Sequence, residues 1–203
     1  MNLKATIMNN RATHIYLEMT PNPNTMKFVA NYLLVPEGVS YSFANPEKAK
    51  SSPMAKLIFG EYAWVQEVFF SSNYITLSKT SETDWNEVQM DARNFIAQAL
   101  MQGTKIIIEG AEPIEQKPTQ PLSEEDEHSV AKIKGILDEY IRPAVEMDGG
   151  AISFHSFDKG VVKVLLQGSC SGCPSSTVTL KAGIEALLKR AMPEVEAVEA
   201  IDV

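Results

Sequence analysis

Apolar and polar positions alternate through His14–Met19, where Ile15 and Leu17 stand among polar neighbours, and this period predicts a strand. The pattern stops at Thr20-Pro21-Asn22-Pro23-Asn24-Thr25. Each proline holds the residue before it out of the α region, so this stretch is expected to turn. A strand resumes over Met26–Val35, and Pro53–Phe59 reads as a short helix. Trp64–Phe70 and Tyr74–Lys79 predict a hairpin about Ser71-Ser72-Asn73. Trp85, Val88, Ala92, Phe95, Ile96 and Ala99 recur at helical spacing, with Thr83 as the expected cap. Lys105–Glu109 is expected to add an edge strand.

The later pattern is helix, two strands, helix, strand. Val130, Ile133, Leu137, Tyr140, Ile141 and Ala144 make one helical stripe, which Pro143 should bend or bring to its last turn. Gly149 and Gly150 can accept the left-handed conformation of a helix stop. Ala151–Phe157 and Val161–Gln167 flank Asp158-Lys159-Gly160, a hairpin signal. Pro174 opens a helix carrying Leu180, Ile184, Leu187, Leu188 and Ala191 on one face, and Val195–Ile201 is expected to close the sheet.

Charge shows where the chain divides. Residues 112–127 carry one basic and six acidic side chains, whereas the whole 203-residue chain has a net charge of −8. Pro113, Pro118 and Pro121 lie in the same stretch, and large aliphatic residues are scarce there. Such a segment cannot bury a core and is extended by its like charges. The expected organisation is a domain over 1–111, an acidic, proline-bearing linker over 112–122 and a second domain over 123–203. The fold class is α+β. The first domain is mainly antiparallel β with helices, and the second runs α-β-β-α-β with a cysteine loop between strand and helix. Ser123 and the carboxylates after it suit a helix start.

Composition excludes several classes. Hydrophobic residues make up 44% and charged residues 22%, an ordinary globular balance. The longest apolar runs are a few residues, far short of the about 20 that a membrane helix needs. The acidic balance, without any Lys/Arg cluster, argues against nucleic acid as a partner. The opening residues lack the apolar core of a signal peptide and the arginines of a transit peptide, so a cytoplasmic setting is expected. The nine methionines read as core filler.

The candidate chemistry lies in Gln167-Gly168-Ser169-Cys170-Ser171-Gly172-Cys173-Pro174-Ser175-Ser176. Two thiols three residues apart can serve one metal centre through a single tight loop. Their place before a helix N-terminus favours thiolate over thiol. Three readings compete. A thioredoxin-like dithiol–disulfide oxidoreductase would use the same pair, but no βαβ unit leads in. A structural zinc site needs four ligands, and there is no second C-x-x-C. A cubane iron–sulfur cluster also takes four thiolates, which two chains related by a two-fold axis could supply. His14, His128 and His155 lack the spacing of a Rieske-type site and read as surface or strand histidines.

Residues 136–192 resemble the C-terminal domain of the NifU family. The likeness rests on Ile141-Arg142-Pro143-Ala144, Asp148-Gly149-Gly150, Val161–Leu166, the run Gln167–Lys181 and Gly183-Ile184-Glu185. Residues 14–95 are similar to the N-terminal domain found with it in Nfu proteins, through Thr20–Thr25, Lys27-Phe28-Val29, Ser52-Pro53, Leu57–Gly60, Ile75-Thr76, Lys79 and Trp85. The resemblance implies a scaffold or carrier, not an enzyme. It implies a [4Fe–4S] cluster held between two chains, with Cys170 and Cys173 as ligands. It also implies delivery to apo iron–sulfur client proteins, an upstream cluster donor and a homodimer when the cluster is bound. Asp148-Gly149-Gly150 could shape the cluster's surroundings, but a helix stop is the simpler expectation. Pro21–Asn24 could meet a client, but a rigid turn between strands explains it more simply.

Overall fold

The structure is a computed structural model that describes residues 12–108, 110, 124–171 and 174–201, with the backbone alone at 124–127 and 174–177. The fold is α+β and separates into two compact units. The expected linker, 112–122, the helix-start residue Ser123 and Glu109 lie outside the described residues. Among the described residues, no helix is long and apolar enough to cross a membrane.

The first unit holds strands β1 (Ile15–Met19), β2 (Thr25–Ala30), β3 (Ser40–Phe43), β4 (Val65–Ser71) and β5 (Tyr74–Lys79) in one sheet of order β1-β2-β5-β4-β3. Helices α1 (Pro53–Glu61) and α2 (Trp85–Met101) pack against it. Met54, Ala55 and Ile58 of α1 and Ala92 and Ile96 of α2 meet Phe28, Val68, Phe70, Ile75 and Leu77 in the core. Val68 and Phe70 on β4, and Ile75 and Leu77 on β5, fall two apart, which puts each pair on one face of the sheet. β4 and β5 pair antiparallel about the expected turn, where Ser72 takes φ +46°.

Three expectations need correction in this unit. The strand begun at Met26 ends at Ala30, because the amides of Leu34 and Val35 both donate to Ser72 O, at 2.7 and 3.0 Å, instead of to a ladder. The cap of α2 is Asp84, whose carboxylate accepts from Asn86 N at 2.9 Å; Thr83 instead bonds Thr80 through its hydroxyl at 3.0 Å. Lys105–Ile108 is no strand. Lys105 O accepts from Met54 N at 3.1 Å, and Ile108 N donates to Ser51 O at 2.9 Å, so the segment docks on the start of α1. The sequence pattern also passes over β3, which pairs Tyr41 with Phe70 and Phe43 with Val68.

The Thr20–Thr25 turn is as expected. Asn22 anchors it: its carbonyl accepts from Thr25 N at 3.0 Å, and its side-chain oxygen accepts from Asn24 N at 3.0 Å.

The second unit runs α3 (Glu124–Ile136), a π-helical turn (Leu137–Ile141), α4 (Arg142–Met147), β6 (Gly150–Asp158), β7 (Val161–Gly168), α5 (Pro174–Ala191) and β8 (Ala197–Ile201). β6 and β7 form an antiparallel hairpin, turned by Lys159 (φ +48°) and Gly160 (φ +77°). β8 lies parallel to β7, as the crossover through α5 requires. The core gathers Val130, Ile133, Leu137, Val145, Ile152, Val164, Leu166, Ile184, Leu188 and Val198.

The stripe expected over residues 130–144 shifts phase at the π turn. Arg142 N donates to Leu137 O, five residues back, and the wider turn takes up the proline that follows. The buried positions therefore move on to Val145, and Tyr140 ends 58% exposed. The methionines divide as well: Met26, Met54 and Met192 are core, but Met19, Met90, Met101 and Met147 are exposed, contrary to a filler role for all. Glu185 ties α5 to β8 by accepting from Lys189 Nζ at 2.6 Å and Val198 N at 3.1 Å. The lysine first, then the strand amide, hold its carboxyl below the usual range.

Ser52 should be the costliest polar position in the first unit. It is fully buried, accepts from Ala55 N at 3.0 Å and donates to Ile106 O at 2.5 Å, so it caps α1 and holds the 105–108 segment together. Ser52→Ala should lower the unfolding free energy by about 1–3 kcal/mol. Asp84→Ala, at an exposed cap, should cost about 1 kcal/mol. Both tryptophans, Trp64 and Trp85, belong to this unit, so urea titration followed by their fluorescence measures it directly.

Candidate functional site

The site begins where β6 and β7 end side by side. Gly150 and Gly168 are partners in the ladder. Gly168 then takes φ +64°, which turns the chain out of the strand. A non-glycine residue would be strained in that left-handed conformation. Ser171 fastens the turn, because its amide and its hydroxyl both donate to Gly168 O, at 3.1 and 2.9 Å. The next element is α5, whose first residue is the expected Pro174.

Behind the loop stands the Asp148-Gly149-Gly150 turn. Ser169 N donates to Gly149 O at 3.3 Å, and Ser169 Oγ donates to Asp148 O. Ser169 is thereby buried and held at two points. Cys170 follows with 6% exposure and packs within the core of this unit. Its Sγ lies 3.9 Å from Ser169 Oγ. Cys173, the second expected ligand, and Gly172 lie outside the described residues.

The two glycines of the turn have different tasks. Gly149 takes φ +82° at the end of α4 and is the helix stop that the pattern suggests. Gly150 is already a strand residue. A Cβ there would stand 2.7 Å from Cys170 Sγ and 2.7 Å from Gln167 O, closer than such atoms approach. The expectation that a helix stop accounts for both glycines is therefore corrected: one stops the helix, and the other makes room for the cysteine. Ser169, too, was legible only as part of the motif, since its partners are carbonyls some twenty residues earlier in the chain. A doubled glycine was the available signal, because a helix stop uses one.

His14 and His128 are exposed and His155 is half-buried on β6. Among the described residues, no three His, Cys, Asp or Glu side chains come together to hold a metal ion.

Comparison with known proteins supplies the family. The NifU-like domain matches residues 133–199, and the N-terminal domain of the scaffold protein Nfu/NifU matches residues 15–103. The NFU1 iron-sulfur cluster scaffold homolog, mitochondrial, of Drosophila erecta is 36% identical over 201 residues, covering 99% of this chain and 69% of that protein. The chain belongs to the NifU-like, Nfu-type family. The protein of the same name from Drosophila willistoni is 40% identical over 195 residues, covering 96% of this chain and 66% of its own length. The chain spans about two thirds of the length of these curated relatives. The solution structure of a NifU-like protein from Saccharomyces cerevisiae aligns with a TM-score of 0.45 at 22% identity, covering 54% of this chain and 96% of that one; the assignment does not rest on it.

These relatives are named mitochondrial, which overturns the cytoplasmic expectation. That expectation came from the make-up of the opening residues. A compartment is read from an address segment that the folded domains need not display.

The clamp behind the loop has a measurable strength. Ser169→Ala removes the donor to Asp148 O and should cost about 1–2 kcal/mol locally. Amide exchange at Ser169 and Ser171 should quicken about tenfold, while the middle of β7 keeps its protection. Unchanged exchange in the loop would mean that the hydroxyl contact contributes nothing.

Proposed function

We propose that this chain is a carrier of a [4Fe–4S] cluster, which is its cargo. Cys170 and Cys173 of each of two chains bind the cluster in a homodimer, receive it from an upstream donor and pass it to apo iron–sulfur client proteins. The observation that carries the reading is the Gly168–Ser171 part of the cysteine loop, fastened by Ser169 and Ser171 inside the residues that match the NifU-like domain. The relatives' printed names, iron-sulfur cluster scaffold, point the same way.

Ligand arithmetic supports the dimer. A cubane cluster takes four thiolates, and the chain has two cysteines. Among the described residues, no cluster of acidic or histidine side chains stands ready to complete the set. A second copy brings two more thiolates in the same geometry about a two-fold axis.

The chain's own part is to present sulfur. Gly168 and Ser171 shape the loop, and the helix N-terminus after Cys173 favours the thiolate form. Release needs no change in oxidation state. A client thiolate replaces a carrier thiolate on iron, one bond forming as one breaks, until the chains part. The net charge of −8 on each chain opposes pairing, but repulsion between exposed charges fades beyond about 8 Å at physiological salt, while iron–thiolate bonds act at contact range.

Anaerobic reconstitution with iron and sulfide tests the reading. The parent chain should develop broad visible absorbance and transfer cluster to an apo client. Cys170→Ser and Cys173→Ser should each lose at least about nine tenths of the bound iron, since each change removes two of four ligands from the dimer. Far-UV circular dichroism should show both variants folded. Wild-type iron in either variant would refute the ligand assignment. A parent that takes up no iron but cycles between dithiol and disulfide against a redox buffer would favour an oxidoreductase.

A further inference from the structure

We infer that Gly150 is a positioning residue for the cluster ligand Cys170: its missing side chain forms the floor against which the sulfur is set. The inference rests on the carrier reading and names a residue outside the cysteine motif that controls the ligand.

Gly150 occupies the first position of β6, opposite Gly168 in the ladder, so its Cα is fixed by the sheet and not by a loose turn. A Cβ at this position would meet Cys170 Sγ at 2.7 Å, Gln167 O at 2.7 Å and Cys170 Cβ at 3.2 Å. Two of these three atoms belong to the ligand itself. The third is backbone, in a strand paired along its length, and cannot swing aside. A methyl group here must therefore move the cysteine.

The rest of the loop gives the cysteine few ways to comply. Ser169, its neighbour, is tied to Asp148 O and Gly149 O, and Ser171, on the other side, is tied to Gly168 O. Cys170 is held between two fastened residues, with the strand glycine beneath it. Displacement would fall on the sulfur's direction, which a shared cluster requires to be the same in both chains.

Gly160 provides the control. It lies in the same unit, at the opposite end of the β6–β7 hairpin, and an added Cβ would be comparably crowded, 2.8 Å from Glu196 Cγ and 3.0 Å from Glu194 O. Gly160→Ala should strain the fold without touching the cysteine loop.

The experiment compares parent, Gly150→Ala and Gly160→Ala after reconstitution, each shown to be folded by far-UV circular dichroism. Loss of iron to a chelator should be about 10–100-fold faster in Gly150→Ala than in the parent, the usual range for a residue that orients a metal ligand. Its visible circular dichroism should also change shape, which simple destabilisation would not produce. Gly160→Ala should keep the parent's rate and spectrum. Equal rates and spectra in all three proteins would overturn the inference, as would equal losses in both variants.

Thiol labelling in the apo protein decides the case if Gly150→Ala does not fold or if the parent takes up no cluster. In Cys173→Ser, Cys170 should react at least about tenfold more slowly than in the same chain unfolded by denaturant. A folded-state rate equal to the unfolded one would show that the sulfur does not sit on Gly150. A parent without cluster but with a protected Cys170 would refute the carrier reading and leave the placement standing.

Discussion

Two strands that end on facing glycines set the conditions for everything at the cysteine loop. Gly150 and Gly168 bring two backbones together with no side chain between them, and the space that remains is filled by Cys170. Interiors pack to the density of organic crystals, so a gap of one methyl group is either used or costly. Here it is used by a sulfur. The serines on either side then fasten the loop to carbonyls of the same region, and the helix can begin at Pro174.

The same constraint sets a candidate ligand against the core. The second unit closes its core with Val130, Ile133, Ile152, Val164, Ile184 and Leu188, and the candidate ligand Cys170 packs at the same core. The first unit closes a different core against its own sheet and contains no cysteine. On the proposed carrier reading, such a chain must hold its cluster and then lose it. On that reading, two thiols per chain make the holding step depend on a second molecule.

Periodicity made most of this legible. The hairpin about Lys159-Gly160, the helix after Pro174 and the apolar stripe of α2 follow patterns that are local in sequence. The failures are non-local or depend on one atom. Leu33–Val35 has the composition of a strand, but the amides of Leu34 and Val35 answer to Ser72 O. β3 exists because β4 pairs with it, through contacts nearly thirty residues apart. Tyr140 drops out of the core because a π turn ahead of Pro143 advances the helical phase. At the site, the cysteine loop was evident from spacing alone, whereas the task of Gly150 was not. A glycine's clearance is a property of what faces it, and a single sequence does not show that.

The central claim is that two chains share one cluster. Native mass spectrometry of the anaerobically reconstituted protein tests it most directly, since it counts chains and metal in one particle. The account predicts a dimer heavier than two apo chains by about four irons and four sulfides, alongside apo monomer without metal. A monomer carrying a full cluster would contradict it.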